Sequence, residues 1–365
     1  MKIAFLLQDT GAVYGAERAT LDLARGLAAR GTGVLVVLIR ETRLGDRGSL
    51  LEAALREEGL AVEIAATDRR LSMGLARSIR SLLQEHGADV LHSVGYKADV
   101  HGVMAVYGRI PQVSTIHGWL FRRDIKERFY GWLNVHALKR CARVVVLSRY
   151  YEDLLGRVGL RAVRIPSGLD TRSLPAMPSH RGTFTIGMMG RFSEEKNHPM
   201  LLRAAKRLVE DGVTVDVLVA GDGPLRPMIE AEIARLDLRH VVKLQGYVSR
   251  EDFLGCIDVL VLCSRIENLP YSVMEAMAWG LPVVATNVGG LPDLVEDGRT
   301  GFLVPNDDPC ALAVAVGKLV ASRDMAERFG ACGREKVRRE FAVEACVERH
   351  EQLYAELSAP IRGGP

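Results

Sequence analysis

The sequence predicts an α/β protein made of two doubly wound parallel-sheet domains in series, and three observations carry that expectation. The chain is 365 residues long, more than a single hydrophobic core ordinarily organises. Short continuous apolar runs alternate with segments of helical spacing, the signature of strands buried on both faces of a parallel sheet. The alternation is interrupted once, at TRSLPAMPSHRGT (171–183), a stretch with two prolines and no periodicity that reads as a linker, and it then begins afresh.

The elements follow in order. Ile3 to Leu7 reads as a first strand, and a glycine-bearing loop follows it. ERATLDLARGLAARG (17–31) has helical apolar spacing at Ala19, Leu23 and Leu27, with Gly31 as its stop. Further strands are expected at Val34 to Ile39, Val90 to Ser93, Gln112 to Ile116 and Arg143 to Leu147. After the linker come FTIGMMG, MLLRAAKRLVEDG, VDVLVAG, MIEAEIARLDL, VKLQG, DVLVLCS and LPVVATN, again strand and helix by turns. Two such domains leave a crevice between them, and ligands of open parallel sheets sit off the carboxyl ends of the strands. The loops directly after strands are therefore where chemistry is sought.

Composition removes several classes of function. Charged residues make up 25% and apolar ones 48%, an ordinary globular balance, and no apolar run approaches the roughly 20 residues that span a bilayer. The opening MKIAFLLQDT has five apolar residues before Gln8 and Asp9, short of a secretory signal. The six cysteines show no C-x-x-C pairing or metal-like clustering, which suits reduced thiols in a cytoplasmic protein and suggests no metal site. Charge is uneven: residues 1–170 hold 25 Lys/Arg against 18 Asp/Glu, and the remainder 23 against 27. Within the basic half, GWLFRRDIKERFYGWLNVHALKRCAR (118–143) interleaves seven Lys/Arg with Trp119, Phe121, Phe129, Tyr130 and Trp132. That pattern suits an anionic membrane surface or a polyanion, or else a solvated helix whose aromatics pack inward. Nucleic acid is disfavoured, because no recognition motif accompanies the charge.

Four post-strand loops of the second half are rich in polar punctuation. GRFSEEKNH places Arg191 and Lys196 where a helix begins. Two cations there suit a diphosphate, with surface pairing to Glu194 and Glu195 as the bland reading. GDGPLR (221–226) is a tight glycine turn. In GYVSRED (246–252), Gly246 turns the chain, Tyr247 either edges a nucleobase or packs, and Ser249 caps the next helix. In SRIENLPYSVMEAMAWG (264–280), Glu267 precedes a helix that starts near Pro270, and Glu275 lies about a turn inside it among apolar residues. The backbone amides from Leu269 to Ser272 form an anion site. Glu275, a carboxylate among apolar neighbours, needs a partner, and a ribose diol arriving with substrate would supply one.

These residues resemble a known family. G-R-x4-K-N (190–197), G-D-G-P-L (221–225), E-x7-E (267–275) and the run from Gly280 to Pro305 are similar to the retaining glycosyltransferases of family 4. Gly15-Ala16-Glu17-Arg18 resembles the family's N-terminal glycine loop, and IPSGLD (165–170) its turn at the end of the first domain. The resemblance implies the GT-B fold, two Rossmann-like doubly wound parallel-sheet domains facing across a cleft. The boundaries are then 1–172 on the acceptor side, 173–342 for the nucleotide sugar, and 343–365 for a C-terminal helix returning to the first domain. It implies that Arg191 and Lys196 hold the donor diphosphate without a metal ion, that Glu275 binds the ribose and Glu267 the hexose, and that His117 lies near the reacting sugar. Gly15, Asn268, Leu269, Gly246 and Tyr247 complete the donor contacts. No cofactor is implied beyond a nucleoside-diphosphate sugar, with uridine as the commonest base.

Three positions depart from the family pattern. Tyr14 stands where a second glycine is common, Ser167 replaces an Asn, and Asn268 replaces a glycine, a change that the tolerance of Asn for left-handed backbone accommodates. The function implied is transfer of a hexosyl group, with retention, to a hydroxyl of a saccharide or lipid-linked acceptor in cell-surface polysaccharide or glycolipid assembly. Its setting would be the cytoplasm or the inner face of its membrane, with peripheral contact through 118–143. The alternatives are a GT-B epimerase or phosphorylase, or a non-catalytic nucleotide-sugar-binding scaffold.

Overall fold

The computed structural model describes residues 1–11, 13–44, 48–118, 125–172, 174 and 182–358. By its internal contacts the chain divides into two units, Met1–Asp170 with the chain from Val343 onward, and Thr171–Ala342.

The first unit runs β1 (Lys2–Gln8), α1 (Gly15–Ala29), β2 (Gly33–Glu41), α2 (Leu50–Glu57), β3 (Ala61–Thr67), α3 (Met73–Glu85), β4 (Val90–Val94), α4 (Tyr96–Val106), β5 (Gln112–Ile116), α5 (Ile125–Leu138), β6 (Arg143–Val146), α6 (Arg149–Arg157) and β7 (Ala162–Arg164). Its seven parallel strands lie in the order β3-β2-β1-β4-β5-β6-β7. The sequence reversal falls between β1 and β4. Central strands such as β4 and β5 are buried at every residue, their polar side chains included, as a parallel sheet covered on both faces requires.

The second unit runs β8 (Phe184–Met189), α7 (His198–Glu210), β9 (Val215–Ala220), α8 (Arg226–Arg235), β10 (Val242–Gly246), α9 (Arg250–Leu254), β11 (Val259–Leu262), α10 (Tyr271–Ala278), β12 (Val283–Thr286), α11 (Leu291–Leu294), β13 (Gly301–Val304), α12 (Pro309–Ala321) and α13 (Arg323–Glu340). Its six parallel strands lie in the order β10-β9-β8-β11-β12-β13, reversing between β8 and β11. Each reversal point leaves open backbone and loop ends at the carboxyl edge of the sheet, the place where such sheets bind ligands.

The last helix, α14 (Val343–Ser358), is part of the first unit and packs on α1. Gly26 on α1 makes that approach close: a Cβ there would lie 2.4 Å from Val347 Cγ2. Of the linker, Ser173 and 175–181 fall outside the described residues. No described helix is long and apolar enough to cross a membrane.

Candidate active site

Five loops at the carboxyl edge of the second sheet are laced together by backbone. Gly190 N–H donates to Ala220 O at 3.0 Å and Phe192 N–H to Asp222 O at 3.0 Å, which fixes the loop after β8 to the loop after β9. Gly221 N–H then donates to Gly246 O at 2.7 Å. The approach leaves no room for side chains: a Cβ on Gly221, at φ +126°, would sit 2.1 Å from Gly190 O. Gly289, after β12, presses equally close to the loop after β11, where a Cβ would sit 1.8 Å from Glu267 O, and Gly290 N–H donates to that same oxygen at 3.2 Å. The loop after β8 is braced from its far side as well. Asn197 takes a left-handed turn (φ 51°) into α7 and donates to Asp307 at 2.8 Å, which also receives Arg265 at 2.9 Å.

This frame sets the charged residues. Lys196 Nζ lies 2.5 Å from Glu267 Oε1, joining the loops after β8 and β11 across the reversal point. The bland reading, Lys196 paired with Glu194 and Glu195, therefore gives way to a contact spanning 71 residues of sequence. Arg191 is exposed and pairs with no carboxylate among the described residues. An exposed guanidinium with no carboxylate partner among the described residues, beside a half-neutralised ammonium, is a local excess of positive charge, suited to a polyanionic ligand.

Glu275 differs from expectation. It is buried, 9% exposed, and already has a protein partner: Arg250 Nη1, at the start of α9, hydrogen-bonds its Oε1. Arg250 lies in the very loop that contains Gly246 and Tyr247. The sequence signal that would have found it is the need of a buried carboxylate for a cation on a neighbouring post-strand loop. Pro270 caps α10 rather than opening it, with φ −71° and ψ 125°. Asn268, 6% exposed, is not left-handed, so its place in lieu of glycine calls for no special backbone. Leu269 is likewise buried, at 6%. Gly246 does need its positive φ, +68°. Tyr247 is 83% exposed, which ends the packing alternative and leaves its ring open to a flat ligand. Ser249 caps α9 as expected, accepting from Asp252 N–H at 3.0 Å.

Gly15 and His117 belong to the first unit. Gly15 opens α1 behind Tyr14, the exposed N-cap residue, and a Cβ there would meet nothing within 4 Å. At the reversal point of this sheet lies a cleft of about 480 Å³, lined by Gln8, Thr10, Glu17, Tyr96, Asp99 and His117 among others. Glu17 folds back to accept from Tyr14 N–H at 3.2 Å and Thr10 Oγ1 at 3.1 Å. Asp99 is buried without a cation in these contacts: it accepts from the hydroxyls of Ser93 and Ser114, each at 2.7 Å, and from Asn134 Nδ2 at 2.8 Å. Burial raises its pKa despite those three donors. His117 keeps some accessible surface, yet it is enclosed well enough that burial, with His350 close by, pushes its pKa down to about 4.

Of the basic segment, 119–124 lies outside the described residues, as do the side chains of 125–128. On the part of α5 that remains, Phe129 and Trp132 are 53% and 55% exposed and lie 6.1 Å apart, so these aromatics do not pack inward.

With this geometry in hand, the chain matches two family models: "Glycosyltransferase Family 4" over residues 13–173 and "Glycosyl transferases group 1" over 183–322. It is 30% identical over 312 residues to the alpha-maltose-1-phosphate synthase of Mycobacterium tuberculosis, covering 74% of this chain and 80% of that one. The chain belongs to the family 4 glycosyltransferases. This glycosyltransferase is also 26% identical over 306 residues to the Escherichia coli UDP-Gal:alpha-D-GlcNAc-diphosphoundecaprenol alpha-1,3-galactosyltransferase, covering 77% and 78% of the two chains. The fold of the glycosyltransferase matches that of Anabaena HepE, solved in complex with UDP and with UDP-glucose, at TM-score 0.84 and 22% identity over 98% of this chain and 100% of the other. Both sheets thus belong to the GT-B architecture.

Proposed function

We propose that this glycosyltransferase moves a hexosyl group from a nucleoside-diphosphate sugar, with uridine as the base, to a hydroxyl of a saccharide or lipid-linked acceptor, with retention at the anomeric carbon. The observation that carries the reading is the Lys196–Glu267 contact at the reversal point of the second sheet, with exposed Arg191 on the loop after β8 that carries Lys196. The names of the relatives agree with it: one is a UDP-galactose enzyme acting on a diphosphoundecaprenol-linked sugar, and one structure holds UDP-glucose.

In this reading Arg191 and Lys196 receive the diphosphate, and their two positive charges stabilise the leaving group as it departs, without a metal ion. Lys196 exchanges part of its contact with Glu267 for a phosphate oxygen, which frees a Glu267 oxygen to accept from hexose hydroxyls. Glu275 accepts from the ribose diol while Arg250 holds it ionised and oriented. Tyr247 offers its exposed face to the base, with Gly246, Asn268 and Leu269 setting the backbone around the phosphates. For the first unit, the family resemblance assigns Gly15 to the donor and His117 to the reacting sugar.

No carboxylate is assigned as a covalent nucleophile. The acceptor oxygen attacks C1 on the face the diphosphate leaves, the C1–O bond to phosphate breaks, and the departing phosphate oxygen takes the acceptor's proton. The 118–143 segment, with Phe129 and Trp132 outward, would bring the enzyme to an anionic membrane that carries the acceptor and its place of work in surface polysaccharide or glycolipid assembly.

The test is to incubate the purified protein with a panel of nucleotide sugars and a membrane lipid extract, following nucleotide release and product mass. Acceptor-dependent release that is lost in Arg191→Ala and Glu275→Ala supports transfer. Donor binding without turnover across broad acceptors would replace the reading with a binding scaffold.

A further inference from the structure

The inward face of α14 carries two polar side chains that the function above does not use. Tyr354 is fully buried and its hydroxyl lies 2.5 Å from His92 Nδ1, while His92 Nε2 lies 2.6 Å from Thr115 Oγ1. His92 is thus satisfied at both nitrogens. His350, 3% exposed, is satisfied at only one: Nδ1 lies 2.9 Å from Cys346 O. A carbonyl oxygen only accepts, so Nδ1 carries the hydrogen; a bare Nδ1 would set two lone pairs against each other. The neutral ring then leaves Nε2 as a lone pair, and that atom is buried without a partner among the described residues.

A cavity of about 20 Å³ adjoins it, lined by His350, His92, His117, Thr115 and Ser167 among others. That volume holds one water, and a water is stable there only with two or more polar partners. His350 Nε2 is one, and His117 and Ser167, neither of which makes a side-chain hydrogen bond among the described residues, supply the others. His117 also lines the 480 Å³ cleft, so it borders both spaces.

We infer that His350 is a positioning residue for His117, acting through a single water held in the small cavity. The water donates one O–H to His350 Nε2 and accepts the N–H of His117. This fixes His117 in one tautomer, with its hydrogen turned toward α14 and its lone pair turned into the cleft, able to accept from a substrate hydroxyl. Both rings are neutral near pH 7, since burial holds each to about 4, so each has one donor and one acceptor nitrogen to place. The consequence for rate rests on the proposed role of His117; the tautomer itself does not.

The experiment is long-range ¹H–¹⁵N correlation on the full chain labelled at its nine histidines, at pH 7.5 without substrate, with His117 assigned from a His117→Gln variant. The expected result is a single His117 tautomer in the parent and in His350→Gln, whose side-chain oxygen reaches as far as Nε2 and accepts alike. His350→Leu gives mixed tautomers, and so does His350→Asn, which stays polar if Leu unfolds the unit but stops short of the cavity. In transfer assays the same two variants lower kcat by tenfold or more at unchanged donor KM, since a wrong tautomer of a catalytic imidazole costs up to about 10⁴. A His117 tautomer unchanged in folded His350→Asn overturns the inference. Full transfer by His117→Ala would instead overturn the catalytic reading of His117 and leave the tautomer result standing.

Discussion

Replacing Gly289 by alanine puts a methyl carbon 1.8 Å from the carbonyl oxygen of Glu267, where real contacts of this kind lie beyond 3.0 Å. The obstacle is backbone, so relief requires the Glu267 carbonyl to retreat by more than 1 Å, carrying its side chain and the contact with Lys196. A left-handed φ of +54° adds its own strain for a residue with a Cβ, and together these cost about 1–3 kcal/mol of stability. On the proposed role of Glu267, its displacement removes charge-assisted hydrogen bonds worth about 1.5–3 kcal/mol from the hexose, so UDP-glucose binding weakens by roughly 10- to 100-fold. UDP alone, which lacks the hexose, loses far less. The control is Gly298→Ala, which shares the positive φ of +73° but would meet nothing within 4 Å. It lowers thermal stability and leaves donor affinity unchanged. Calorimetric titration of the three proteins with UDP and UDP-glucose is the assay. Gly289→Ala binding UDP-glucose like the parent, or Gly298→Ala weakening it equally, would refute the placement of Glu267 against the sugar.

Three further outcomes are expected. Glu267→Gln frees Lys196 from its carboxylate, so UDP binds severalfold tighter while hexosyl transfer falls by at least about 10²-fold; parallel loss of both contradicts the exchange of partners. Arg250→Ala leaves Glu275 without its cation, and because Arg250 is about one-third exposed the cost is about 1–2 kcal/mol rather than that of a fully buried pair. It appears as a lower Tm together with about tenfold weaker UDP binding, and unchanged UDP affinity counts against the ribose role. The first unit weakens in acid: burial holds His117 and His350 to about 4 against 6.5 when free, so the unfolded chain takes up protons as pH falls below 6.5 and the folded chain does not until about 4. The stability is whole above about pH 6.5 and is lost between there and about pH 4, by ~3 kcal/mol per ring. Urea midpoints for α14 amides at pH 7.5, 5.5 and 4.5 check this, and a flat profile refutes it.

The interior of each sheet was readable because its strands are covered on both faces. β1, β2 and β6 appear in the sequence as apolar runs and β4 and β5 as short β-rich runs beside helix-like segments, and the observed strands lie within two residues of those expected. The edge strands β3, β7 and β13 were not readable. β3, AVEIAAT, is exposed or half-buried at four of its seven residues, and β7 has three residues, none buried, so neither carries the apolar run that marks an interior strand. The site followed the same division. Residues in local motifs, such as Arg191 and Glu267, could be named from their order along the chain. Their partners could not: Lys196 meets Glu267 from 71 residues away and Arg250 meets Glu275 from 25, distances that only strand order sets. The same holds for Gly289, whose reason for being glycine is a carbonyl on another loop, and for the His92, His117 and His350 group, assembled from β4, the loop after β5, and α14.

The most direct test of the whole account is the anomeric configuration of the glycoside formed when the protein is given a nucleotide sugar and an acceptor, read from the H1–H2 coupling of the product by NMR. The account predicts the configuration of the donor, with nucleotide released in equal amount. A product of inverted configuration would contradict it.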